Sequence, residues 1–207
     1  ATFNTDDHPM SRDELREAMR QCDVLVPTVT DDLDPELILE AGDRLQLIAN
    51  YGAGVNHIAL QAARAKNIIV TNTPGVLTED TADMTMALIV SVPRRLAEGE
   101  KLVRSGAWTG WSPSNMLGHR IGGKALGIVG MGRIGQAVAM RARAFGLSIH
   151  YHNRHRLPEV LEAQLAATWH ADLDEMLAKI DILTIHTPRN AESENLIDRR
   201  RIGLLRP

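Results

Sequence analysis

The stretch from Lys124 to Gly146 constrains this chain more than any other. Ala125 to Val129 is an unbroken apolar run, the pattern of a parallel strand buried on both faces. It leads directly into Gly130-Met131-Gly132-Arg133-Ile134-Gly135, a G-x-G-x-x-G. Apolar residues then return at Ile134, Val138, Ala142 and Phe145 with helical spacing, and Gly146 closes the helix. A second strand follows over Ser148 to His152. In such a strand-turn-helix the first glycine makes the tight turn, the second lets a pyrophosphate approach the backbone, and the third lets the helix pack on the strand. Free amides of the first helical turn then face the phosphates. The spacing therefore predicts a dinucleotide site at Gly130, Gly132, Arg133, Ile134 and Gly135.

Before this unit the same alternation recurs. Ser11 and Glu14 form a capping box that opens a helix, and Asp23 to Pro27 reads as a strand. Asp34-Pro35 is an N-cap followed by proline at the first helical position. Leu45 to Ala49 reads as a strand, a helix is expected from about Ile58 to Ala65, and Ile68 to Val70 is a further strand. Strands and helices alternating at this length predict an α/β fold with parallel sheets covered on both faces. Thr78 to Ser105 reads as a mostly helical connector with a break near Val92, because Pro93 removes a helix hydrogen bond. Such a connector predicts a hinge with ligand held in a cleft. The turn-rich segment Trp108 to Gly118 reads equally as a packed surface loop or as a subunit-contact or cleft-rim loop. Asp172 caps a helix through Leu177, and Asp181 to His186 is the last strand. Arg199-Arg200-Arg201 reads as a solvated face.

Composition narrows the function classes. A net charge of −3 leaves no basic field for nucleic acid or a membrane surface. No apolar run approaches the ~20 residues of a membrane span. The single cysteine, Cys22, excludes an internal disulfide and fits a reducing, cytoplasmic setting. With 3% aromatic residues, the core has to be built from Leu, Ile, Val, Ala and Met. The chain begins at Ala1 and stops within what reads as a connection, so a fragment at both ends is expected.

The end of the second strand bears on cofactor choice. An NAD site usually places a carboxylate there for the ribose 2′-hydroxyl. This chain has His150-Tyr151-His152-Asn153-Arg154-His155-Arg156 instead. A carboxylate would repel a 2′-phosphate, whereas guanidinium groups offer it charge-assisted bonds. Asn153, Arg154 and Arg156 are therefore expected to favour NADPH, with NADH still usable, by roughly ten- to thirty-fold if both arginines engage. The three histidines lack thiolate or carboxylate partners, so no metal site is expected.

These residues together resemble the D-isomer-specific 2-hydroxyacid dehydrogenases. Leu126 to Gly135 with Ile149 and His152-Asn153 is similar to that family's cofactor signature, Asn50 to Ile58 to its substrate loop, and Asn72 to Thr78 to its hinge segment. His186-Thr187-Pro188 resembles the strand end beside the adenosine, and Trp111 to Gly118 with Asn153-Arg154 looks most like glyoxylate/hydroxypyruvate reductases. The resemblance implies two doubly wound domains. One is an incomplete flavodoxin-like substrate domain over residues 1–98, the other a truncated Rossmann-like NAD(P) domain over 99–207. It implies a homodimer that reduces a small 2-oxoacid, with the amides of Ala53 and Gly54 on the substrate carboxylate and Thr81 near the nicotinamide end. The family's catalytic arginine, glutamate and histidine match nothing here, so no catalytic residue is assigned. A dinucleotide-sensing co-repressor module of the same fold, or a phosphoglycerate, lactate or formate-type dehydrogenase, are the alternative expectations.

Overall fold

A computed structural model describes residues 1–5 and 8–206. The chain forms two compact units, Ala1–Leu77 with Pro188–Asn190, and Thr78–Thr187 with Ala191–Pro207.

In the first unit α1 (Arg12–Gln21), β1 (Val24–Leu25), α2 (Pro35–Leu39), β2 (Leu47–Ala49), α3 (Leu60–Ala65) and β3 (Ile69–Thr71) alternate, and the strands lie parallel in the order β1-β2-β3. The helix starts follow the sequence. Ser11 and Glu14 close the capping box of α1, and the Asp34 side chain accepts from Leu37 N–H at 2.9 Å to begin α2. β1 and β2 are shorter than expected, and β3 keeps its expected length one residue further on. Leu15, Met19, Leu37, Ile38 and Ala63 pack with Leu25 and Ile48 into one core. Side chains alternate across a strand, so the row Val24, Leu47, Ile69, paired in register, points the other way. Val24 and Ile69 are 47% and 63% exposed. Cover on both faces, expected from the alternation, is not found for this sheet among the described residues.

The second unit is covered on both faces. It runs α4 (Thr78–Ser91), α5 (Leu96–Arg104), β4 (Ala125–Val129), α6 (Arg133–Ala144), β5 (Ser148–His152), α7 (Glu159–Leu165), β6 (Ala167–Trp169), α8 (Leu173–Leu177), β7 (Ile182–Ile185) and α9 (Arg199–Ile202). Its parallel sheet has the order β6-β5-β4-β7. Every residue of β4 is buried, as an apolar run predicts for a central strand. Leu126, Ile128, Ile149 and Tyr151 pack with Val138 and Ala142 of α6 and Ala82 and Met86 of α4, while Ala125 and Val129 meet Leu173, Met176 and Leu177 of α8.

The boundary between the units falls at Leu77/Thr78, not at 98/99, because α4 packs on α6. Arg141 of α6 fixes this contact by donating to Glu79 and Asp83 of α4, both at 2.6 Å. The helical connector breaks as Pro93 predicts, and α5 restarts after Arg95 in the left-handed region (φ 56°). Arg200 and Arg201 both pair with Asp174, so the basic run is tied to α8 rather than simply solvated.

Candidate functional site

In the first unit the chain leaves β2 into a loop whose carbonyls are held from behind. Asn50, 2% exposed, donates its amide to Gly52 O (3.0 Å) and Gly54 O (2.8 Å), and its Oδ1 meets His57 Nε2 at 3.0 Å. Asn72, just past β3, donates to Ala53 O at 2.8 Å, and Thr73 N–H donates to Gly52 O at 3.0 Å. The amides of Ala53 and Gly54 themselves have no acceptor among the described residues. Successive amides of this kind form an anion-binding concavity. A cavity of about 710 Å³ opens on Ala53 and Gly54 and is walled by Pro35, Ile58 and Leu60. Burial lowers the tendency of His57 to protonate, with Asp31 and Asp32 acting the other way. Asn50, Asn72 and His57 carry this loop, and sequence reasoning assigned them no individual role. The detectable signal is an asparagine directly after each of two parallel strands, at the carboxyl edge where ligands bind.

In the second unit the glycine turn is built as the spacing requires. Gly130 has φ 96°, and a Cβ there would stand 2.7–2.9 Å from the backbone of His186 and Thr187. A Cβ on Gly135 would collide with the Gly130 carbonyl, so α6 packs closely on β4. A Cβ on Gly132 would meet nothing within 4 Å beyond its chain neighbours among the described residues, which leaves that side open. The first intrahelical donor is Gln136 N–H, to Gly132 O at 2.9 Å; the amides of Gly132, Arg133, Ile134 and Gly135 have no acceptor among the described residues. No side chain caps this helix. Four free amides beside an open glycine fit a dinucleotide pyrophosphate.

The end of β5 differs in one respect from the sequence reading. Asn153 Oδ1 accepts from Met131 N–H at 2.7 Å, so this side chain joins β5 to the glycine turn. Arg154 projects with 76% of its side chain exposed and pairs with Glu192. That exposed pair holds Arg154 weakly. Arg156, expected beside the phosphate, is instead bonded to Glu162 through Nε and a terminal nitrogen, the shortest contact being 2.7 Å. Its charge is thereby matched by Glu162 inside the unit, a pairing the sequence expectation of a phosphate contact did not include.

The remaining expected residues lie as follows. Thr81 is in the first turn of α4, its carbonyl accepting from Thr85 Oγ1 at 2.8 Å. His186 N–H donates to Val129 O at 2.7 Å, and its ring meets Thr184 Oγ1 at 2.9 Å. His186 and Thr187 back Gly130 within the second unit, whereas Pro188 groups with the first. His150 Nδ1 meets His170 Nε2 at 2.9 Å, and the two rings sit beside one another. Among the described residues no group of three or more His, Cys, Asp or Glu is placed to hold a metal, and no helix is long and apolar enough to cross a membrane.

Known proteins share this arrangement. The chain is 43% identical over 200 residues to the glyoxylate reductase of Thermococcus litoralis, covering 95% of this chain and 60% of that protein. Among solved structures it is similar to a glyoxylate reductase from Paecilomyes thermophila (31% identity, TM-score 0.84, covering 96% of this chain and 62% of that one). It is also similar to the Aquifex aeolicus D-lactate dehydrogenase solved with NAD and lactic acid (29% identity, TM-score 0.82, covering 92% and 56%). The chain thus spans about 60% of the length of the relatives it matches. The NAD binding domain of the D-isomer specific 2-hydroxyacid dehydrogenases matches residues 86–207. With that match laid over the glycine turn and the sheet that carries it, the chain belongs to the D-isomer specific 2-hydroxyacid dehydrogenase family.

Proposed function

We propose that the whole protein is a cytoplasmic, homodimeric reductase that converts glyoxylate or hydroxypyruvate to the D-2-hydroxyacid with NADPH as preferred cofactor. The observation that carries this reading is the Ala53-Gly54 amide pair, left without acceptors among the described residues, in a chain several of whose relatives are named glyoxylate reductases. A small 2-oxoacid presents a carboxylate that two such amides suit. A dinucleotide held at Gly132 to Gly135 would supply hydride-transfer chemistry to a 2-oxoacid. This chain's own contribution is binding: Ala53 and Gly54 hold the carboxylate, while Gly132 to Gly135 receive the pyrophosphate. Arg154, releasing Glu192, meets the 2′-phosphate. Homodimerisation is supported by apolar side chains left exposed at helical spacing, Met84, Leu88 and Val92, together with Trp108 and Trp111.

With Arg156 engaged elsewhere, one partly exposed guanidinium contact of about 1 kcal/mol gives roughly a five-fold preference for NADPH, less than two arginines would. The test is a pair of kcat/KM values for NADPH and NADH on the complete protein with glyoxylate saturating, beside the Gly54→Val variant. NADPH is expected to win, and Gly54→Val to raise the KM for glyoxylate and not for cofactor. A preference for NADH, or an unchanged glyoxylate KM in a folded variant, overturns the corresponding part of the reading.

A further inference from the structure

Arg156 is the outer member of a closed polar network behind the ribose loop. Tyr151 of β5, fully buried, donates its hydroxyl to Glu162 Oε1 at 2.5 Å and accepts from Leu157 N–H at 2.9 Å. Glu162 of α7 is 7% exposed and takes Arg156 on both oxygens, at 2.7 to 3.1 Å. The Arg156 guanidinium lies over the Trp169 ring of β6, 5.7 Å from its centroid. A buried carboxylate is costly without a charged partner. Here Arg156 and the Tyr151 hydroxyl supply one, and they hold the Glu162 carboxyl below its ordinary range.

The loop between β5 and α7 is thus tied at two points. Asn153 is bonded to Met131 N–H, and Leu157 to the Tyr151 hydroxyl. Between these ties Arg154 projects into water. A loop already held in shape has less conformational entropy to lose when a ligand binds. Because Glu162 matches the charge of Arg156, the network offers a phosphate little net charge of its own.

We infer that Tyr151, Glu162 and Arg156 are positioning residues for cofactor discrimination, holding the loop so that Arg154 alone meets the 2′-phosphate while Arg156 makes no contact with it. The inference rests on the NADPH reading above. It also sets opposite signs for one substitution. Glu162→Gln releases Arg156 from its carboxylate. If Arg156 were a phosphate ligand, that release would tighten NADPH; a positioning role requires NADPH to weaken.

The experiment titrates the 207-residue chain with NADPH and with NADH, following nicotinamide fluorescence. Tyr151→Phe and Glu162→Gln should each weaken NADPH about five-fold and leave NADH within about two-fold. Arg156→Lys keeps the charge but loses the two-pronged geometry, and should weaken NADPH likewise. This surface variant carries the test if Tyr151→Phe does not fold. In an Arg154→Ala background, Tyr151→Phe should no longer change the NADPH:NADH ratio. Tighter NADPH binding by Glu162→Gln, an unchanged ratio in all three variants, or equal loss of both nucleotides overturns the inference and leaves the cofactor reading standing. An unchanged ratio in Arg154→Ala alone overturns the cofactor reading itself.

Discussion

Two glycine loops at the carboxyl ends of parallel strands leave amides without acceptors among the described residues, and they do so by different means. After β4, the amides are free because a helix begins there: the residues four positions before them lie in β4 and the turn and offer no helical acceptor. After β2 there is no helix start within the loop. Asn50, Asn72 and Thr73 hold the loop by its carbonyls, and in that conformation the amides of Ala53 and Gly54 meet no acceptor among the described residues. The first arrangement is dictated by backbone geometry and depends on which residues lack a Cβ. The second is dictated by side chains from elsewhere and depends on what Asn50 and Asn72 can donate. Substitutions should therefore damage the two loops in different ways.

The largest effect is expected at Gly130. Alanine there needs a left-handed backbone and sets its Cβ 2.7–2.9 Å from the backbone of His186 and Thr187. Gly130→Ala should lower the unfolding free energy by about 3 kcal/mol in urea titration. A loss below about 1 kcal/mol would mean the turn relaxes freely. Next is Asn50→Ala, which takes the side-chain donor from Gly54 O and the partner from one histidine nitrogen, while Gly52 O keeps Thr73 N–H. It should cost about 2 kcal/mol and, unlike Gly130→Ala, leave nucleotide binding intact. Equal damage to nucleotide binding would erase the distinction between the loops. Gly132→Ala sharpens the comparison from the other side, since its Cβ meets nothing within 4 Å. Stability should be unchanged while NADPH affinity, read by fluorescence, falls about ten-fold. Normal affinity would place the pyrophosphate elsewhere.

The smallest effect concerns pH. Burial holds His150 and His170 below the ordinary value of 6.5, with Lys179 opposing the charge on both, Arg206 adding to this at His150, and His152 and Glu175 acting in opposite senses on His170. Because the folded state resists protonation, the unfolded chain binds more protons below pH 6.5. The stability these rings contribute is present above that pH and lost as it falls. The bond between Nδ1 and Nε2 also needs one unprotonated nitrogen. Thermal melts from pH 7.5 to 5.5 should decline less steeply in His150→Gln than in the parent chain. Parallel slopes would leave the pair with no part in acid sensitivity.

Much of the second unit was legible because its central strand, glycines and helix each write a separate local pattern. The break at Pro93, the helix start at Asp172 and the glycine turn needed no knowledge of distant residues. Three features were not legible. The three residues of β6 are too few to show a period, and their strand exists because Trp169 and its neighbours pair with β5. The partner of Arg156 was hidden too. Nothing local marks Glu162 as buried, and only the α7 fold brings it beneath Tyr151. The assignment of α4 to the second unit likewise depends on Arg141, nearly sixty residues away from its acidic partners.

The bare side of the first sheet has a thermal consequence. Val24 and Ile69, aligned across β2, already meet water in the folded state, so unfolding exposes them only a little further. Heat capacity on unfolding rises with newly hydrated apolar area, at about 12–15 cal/mol/K per residue for an ordinary globular chain. This chain should fall below that figure. Its stability curve is then broad and shallow, less sharply lost on warming and less readily lost in the cold.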